Sequence, residues 1–271
     1  VAPDTGFPAQ DAHNDFSRAR RSGILSRVAT RLRRAPSDID LILPFEEVVD
    51  ALGRRGEKHH GLQAIDLDSI VGTVDRARGF DRSFRPTSGQ VRERWERIAM
   101  AQRRGEPMPP IQVYRIGDMH FVKDGHHRVS VAKAQGRRDI DAYVTEVVTE
   151  LGPTRTLRLA DLPLKTHERV FHERVPLPPE ARGRISLSDP RDYADLAEGV
   201  EAWGFRAIQA CGEPMNREGV AEAWYREDYE PIVEALAEAG MIGEESETEA
   251  YMRAVGERYL SMPRAEKGQV P

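Results

Sequence analysis

The sequence predicts a mixed α/β (α+β) chain: a small mixed-sheet domain, preceded by a helical arm and followed by an α-rich domain. Three observations carry this. Apolar residues alternate or cluster in short runs from Leu62 to Val71, Ile111 to Lys123 and Ile140 to Val148, as half-buried strands require. Helical spacing lies among them, with Val91, Trp95, Ile98 and Ala99 at i, i+4, i+7 and i+8. Beyond Val148 the helical pattern takes over. The expected division of the 271 residues is 1–36 as mobile tail and basic amphipathic helix, 37–150 as the mixed-sheet domain and 151–271 as the α-rich domain, with Leu151-Gly152-Pro153 at the boundary.

Residues 1–15 have no periodicity and read as a mobile tail. From Phe16 to Pro36 there are seven arginines and no acid, while Ile24, Leu25, Val28 and Leu32 share a helical face. One reading is an arm for nucleic acid or another anionic surface. The other, slightly preferred, is a solvated cationic helix that packs its stripe on the domain. Leu41-Ile42-Leu43-Pro44-Phe45 opens a helix that stops at Gly53, and Arg54 to His60 reads as a charged turn. His59-His60 reads as a pair of exposed loop histidines rather than a metal site. A strand from Leu62 to Val71 leads into a polar loop from Gly72 to Asp81. Pro86-Thr87-Ser88 caps the next helix, in which Trp95 is a core residue.

Gly105 to Pro110 ends that helix and starts a strand–turn–strand unit with Gly117-Asp118 as its hairpin turn. Asp124-Gly125 breaks the second strand, and Gly136 closes the short helix that follows. His126, His127 and Arg128 therefore fall in a first helical turn, where unpaired N–H groups attract anions. Gly125 leaves room for a ligand to approach the backbone, and Arg128 offers a planar fork suited to phosphate. Adjacent histidines at a helix start diverge by about 100° and do not chelate one ion; helical chelation needs a three-residue gap. Phosphate contact or acid/base work suits them better. Asp124 is able to orient a histidine, hold Mg²⁺ or form an Asx turn. Ile140 to Val148 is the last strand, with Glu146 read as an exposed acid near its end rather than a Mg²⁺ ligand.

Asp124-Gly125-His126-His127-Arg128, preceded by Pro109-Pro110-Ile111 and followed by Ile140 to Val144, resembles the ParB N-terminal/sulfiredoxin superfamily. The likeness covers about Gly61 to Val148. Sulfiredoxins carry Gly-Gly-Cys-His-Arg at this loop, ParB proteins a Gly-Glu-Arg-Arg version, and free-serine kinases Asp-Gly-His-His-Arg. The resemblance implies the superfamily's small nucleotide-binding fold, with Gly125, His126, His127 and Arg128 on phosphates and Arg76, or Arg78, as a second phosphate contact. It implies ATP, ADP or CTP as ligand, with Mg²⁺, and phosphoryl transfer or hydrolysis as chemistry. The free-serine kinases place a catalytic glutamate where this chain has Val74, so Asp75 would take that role beside Asp124 and His126. No cysteine stands at position 126, so sulfinic-acid repair by thiol chemistry is not expected. The ParB operator-binding helix-turn-helix is not visible after Val148. Proteins with the Pro-Phe-Glu-Glu-Val-Val context are often labelled ParB-like nucleases, a name of similarity rather than of activity.

The net charge of −5 conceals an asymmetry: residues 1–150 carry 25 basic and 22 acidic side chains, against 15 and 23 in residues 151–271. A wholly DNA-coating protein is not expected, while a local basic patch is compatible with this balance. The single cysteine, Cys211, excludes an intrachain disulfide and a multi-cysteine metal site. No apolar run approaches the roughly 20 residues of a membrane helix, so the expected setting is the cytoplasm, with no membrane partner. In the second half, helices are expected from Asp192 to Trp203, Asn216 to Ala239 with a break before Pro231, and Thr248 to Met262. Gly204 to Ile208 reads as a short buried connection. Trp224, Tyr225 and Tyr229 read as core aromatics. The expected function is nucleotide binding with phosphoryl transfer or NTP hydrolysis. The rivals are a DNA-associated, partition-like regulator whose Phe16–Pro36 arm touches DNA, and a non-catalytic interaction module.

Overall fold

A hairpin closed by Gly117-Asp118 forms the centre of the fold. In the computed structural model, which describes residues 5–32, 42–75, 79–153 and 156–261, Gly117 has φ 55°, as tight two-residue loops require. The turn joins β4 (Ile111–Ile116) to antiparallel β5 (Met119–Asp124). Around it stand β1 (Leu43–Pro44), β2 (Arg54–Asp66), β3 (Ile70–Thr73) and β6 (Asp139–Thr149), giving a six-stranded mixed sheet in the order β1-β3-β5-β4-β6-β2. Its parallel pairs are β1–β3, β3–β5 and β4–β6; β4–β5 and β2–β6 are antiparallel. The class is mixed α/β, as the sequence predicts.

Alternation in β4 and β5 builds a core on each face. Tyr114, Ile116, Met119 and Phe121 meet α2 (Phe45–Leu52), where Phe45 stacks on Tyr114 with ring centres 4.6 Å apart. Ile111, Val113 and Val122 meet Val129 and Ala132 of α4 (His126–Ala134). Gly72 lets β1 and β5 close on β3, since a Cβ there would lie 2.3 Å from the Phe121 ring and 2.6 Å from the Leu43 carbonyl. Behind α4, α1 (Pro8–Leu32) and α3 (Arg92–Arg103) share a core of Ala12, Phe16, Trp95, Ala99 and Val131. Trp95 is fully buried and donates Nε1–H to Ser130 Oγ at 2.8 Å, the core role expected of it.

Several expectations are corrected. From Pro8 on, the expected mobile tail is the first part of α1, because Asp11 and Asp15 are buried and Arg103 reaches both, Asp15 at 2.6 Å. The stripe expected to pack is instead exposed: Ile24, Leu25, Val28 and Leu32 all face solvent, and residues 33–36 lie outside the described residues. Arg54 to His60 is no turn but the first half of β2, paired along β6 with irregularities at Gly56 and Gly61. His60 Nε2 lies 2.7 Å from Glu146, which Arg115 also contacts at 3.2 Å. The expected Leu62–Val71 strand is interrupted by a 3₁₀ turn at Leu67–Ser69.

The division between the two compact units falls at Leu162/Pro163 rather than near Gly152, because Leu151, Leu157 and Leu162 belong to the core beneath α2. The second unit contains α5 (Leu162–Arg174) from Pro163 on, α6 (Pro179–Arg182), α7 (Asp192–Cys211), α8 (Arg217–Trp224), α9 (Glu230–Glu238) and α10 (Glu247–Ser261). Gly204 to Ile208 lies within α7 instead of connecting two elements. The break before Pro231 takes the form of a π-helical turn over Tyr225–Tyr229, which absorbs the lost N–H of the proline. Trp224 and Tyr229 are buried and Tyr225 packs against them, as expected. No helix among the described residues is long and apolar enough to cross a membrane.

Candidate functional site

The β5–α4 junction forms for local reasons. Gly125 has φ 108°, a left-handed value that L side chains avoid, and a Cβ there would lie 2.4 Å from Ile111 Cγ2. Glycine is thus demanded by the bend and by Ile111 together. That corrects one expectation: the space beside Gly125 is taken by Ile111 and by Arg128 Nε, so it does not admit a ligand.

Arg128 is also turned inward. Its Nη1 donates to the Pro109 carbonyl and, at 2.8 Å, to the Pro110 carbonyl, while Nη2 donates to Asp124 Oδ2. The fork that was expected on phosphate is spent on the chain itself. It satisfies two carbonyls that open β4 and ties the end of β5 to the first turn of α4. Asp124 accordingly makes no side-chain cap to α4, so the Asx-turn reading is replaced by this ion pair.

The histidines occupy a different wall. Thr73 Oγ1 donates to the Val122 carbonyl at 3.1 Å and lies 2.6 Å from His126 Nε2. With the threonine proton already committed, His126 Nε2–H is the donor, and Nδ1 keeps the lone pair. Burial lowers the His126 pKa; the Asp75 and Asp124 charges oppose that and Arg94 adds to it. His127 stands edge-on to Phe80 at 5.2 Å, with Nδ1 buried and unpartnered among the described residues. Burial, then Arg94 and His126, lowers its pKa to about 4. Both rings are therefore neutral at pH 7.

Arg94 on α3 is the residue that sequence reasoning missed. It is exposed, and among the described residues no carboxylate pairs with it, whereas its neighbour Arg92 is tied to Glu96 at 2.7 Å. Its charge reaches both His126 and His127. No local signal marks it, because the fold alone brings α3 and α4 side by side. Phe84 was missed as well: it is fully buried at φ 58°, rare for a non-glycine residue, and its ring stacks on His126 at 6.2 Å. Asp75 is exposed at the end of β3, within electrostatic reach of His126. Arg76 and Arg78 lie outside the described residues. No group of three or more potential metal ligands occurs among the described residues.

The geometry thus gathers a helix amino end, a guanidinium without a carboxylate partner among the described residues, a neutral histidine of defined tautomer and an exposed carboxylate. Such a set has the groups that anion binding and proton acceptance require. No protein-family model and no curated protein matches the chain.

Proposed function

We propose that the first unit binds a nucleotide, with its phosphates at the amino end of α4, and that it catalyses phosphoryl transfer or hydrolysis. The observation that carries this reading is Arg94, a cation with no carboxylate partner among the described residues, set against two half-buried neutral histidines at a helix amino end. Its fork, the His126 and His127 amides and the His127 ring supply phosphate contacts. Arg76 is the further contact implied by the likeness to ParB and sulfiredoxin proteins. The orphaned Nδ1 of His127 fits an oxygen-rich ligand, since a buried polar atom without a partner costs about 1–3 kcal/mol.

In this reading ATP, ADP or CTP is the ligand. Asp75 is the carboxylate for Mg²⁺, because Asp124 is engaged by Arg128, and the ion would neutralise phosphate charge. His126, held by Thr73 through Nε2–H, keeps Nδ1 free to take a proton from an acceptor hydroxyl or water. Asp75 assists by stabilising the imidazolium that results. A cytoplasmic setting is in keeping with the free, exposed thiol of Cys211.

Calorimetry with ATP, ADP and CTP, with and without Mg²⁺, tests the reading. One of the three is expected to bind in the micromolar range, about 8 kcal/mol. Absence of binding by all three would leave the non-catalytic interaction module. The DNA-associated reading draws on Arg20 and Arg21, exposed on α1. It requires a salt-sensitive gel shift that disappears when Arg20 and Arg21 are both replaced by Gln.

A further inference from the structure

We propose a second anion site, built from α1, the Ser83–Arg85 segment and the carboxyl half of α4, that takes a small molecule bearing a phosphate dianion. A pocket of about 460 Å³ lies there, within the size range of small-ligand sites. His126 and His127 do not line it, so the inference stands independently of the nucleotide reading.

Four cations line the pocket, Arg18, Arg85, Lys133 and Arg137, against two carboxylates, Asp15 and Asp68. Asp15 is spoken for: it is buried and paired with Arg103 at 2.6 Å, with Arg18 at 3.6 Å. Asp68 is exposed at the rim. Lys133 also feels Asp66 and Asp81, but Asp81 Oδ1 already accepts the Ser83 and Arg85 amides at 3.0 and 2.9 Å. Among the described residues no carboxylate pairs with the Lys133 ammonium, which sits 5.7 Å from the centre of the Phe84 ring.

The remaining wall is equipped to donate. Ser130, 98% buried, accepts the Trp95 indole N–H at 2.8 Å, which leaves its own hydroxyl proton as a donor beside Lys133. An ammonium, guanidinium forks and a buried hydroxyl are the donors that a phosphate dianion uses. Burial holds the Lys133 pKa down, with Asp68, Asp66 and Asp81 opposing and Arg85 reinforcing. An incoming dianion relieves that penalty. The ordinary alternative is that Lys133 merely lays its stem over Phe84 with its head in water.

Titration of the full chain with inorganic phosphate at low ionic strength separates the two. Lys133→Met is expected to weaken phosphate binding at least tenfold. Arg85→Gln weakens it several-fold and serves if Lys133→Met fails to fold. Asp68→Asn, which removes the rim carboxylate, should tighten it. The proposal is overturned if the wild-type chain binds no phosphate, or if binding is insensitive to Lys133 and Arg85. Phosphate binding that depends on Lys133 in a chain that binds no nucleotide would uphold this site while removing the nucleotide reading.

Discussion

At the scale of single residues, two arginines have opposite tasks. Arg128 sits in the motif, yet its hydrogen bonds run to Pro109, Pro110 and Asp124. Removing it strands two carbonyls, so Arg128→Met should cost about 1.5–3 kcal/mol of stability, read as a lower urea midpoint. Arg94 lies outside the motif and on the surface. Arg94→Met should leave the urea midpoint unchanged. Gly125 offers a sharper stability test. Alanine there meets Ile111 at 2.4 Å and must hold φ near 108°, so Gly125→Ala should cost at least about 1–2 kcal/mol and lower the midpoint. A tolerated alanine would mean that the bend differs from the one described. The motif was legible because strand, bend and helix are contiguous in sequence. The direction of the Arg128 side chain was not, because the Pro109 and Pro110 carbonyls that draw it inward carry no signature of their own.

At the scale of elements, α1 is held by its first half. Asp15 is 97% buried and pairs with Arg103 of α3, and Phe16 packs edge-on against Trp95 at 5.5 Å. Asp15→Ala removes the shorter of the two ion pairs that hold Arg103, leaving Asp11 at 3.6 Å, and a charge-assisted hydrogen bond of this kind is worth about 1.5–3 kcal/mol. The substitution should lower the stability of the first unit and raise amide exchange along α1. Unchanged exchange in α1 would show that the pair is not what fastens it. Sequence reasoning found β4, β5, α4 and β6 because each declares its period or its turn within a few residues. It misread Arg54 to His60 because β2 is exposed and charged over that stretch, and only the distant strand β6 makes it a strand. It took the stripe Ile24, Leu25, Val28 and Leu32 for a packing face because amphipathic spacing records the capacity to bury a face, while the partner for that face is a property of the tertiary structure.

For the molecule as a whole, each unit contains a half-buried or buried histidine whose pKa is lowered to about 4, His127 in the first and His172 in the second, in both cases chiefly by burial. The neutral form is favoured when folded, whereas the unfolded chain takes up a proton near pH 6.5. Stability from these groups is therefore full above pH 6.5, falls as pH drops from 6.5 towards 4, and levels off below that. Urea midpoints measured across this window should decline, and His172→Phe should flatten the decline in the second unit. A profile that is level from pH 7 to 4.5 would contradict the burial of these rings. The mixed α/β class was legible from the change of period along the chain, whereas α1, expected as part of a separate arm, packs into the first unit. The position of the division was not legible, because Leu157 and Leu162 are helical or loop residues in sequence but core residues of the sheet unit.

The central claim is that nucleotide phosphates meet Arg94 and the histidines at the amino end of α4, while Arg128 serves the architecture. Calorimetric titration of the wild type, Arg94→Met and Arg128→Lys with the best-bound of ATP, ADP and CTP tests it most directly. The account predicts at least a tenfold loss of affinity for Arg94→Met with an unchanged urea midpoint, and for Arg128→Lys a lowered midpoint with affinity of the folded protein largely kept. Nucleotide affinity that survives loss of Arg94 but vanishes with Arg128 in a fully folded chain would contradict it.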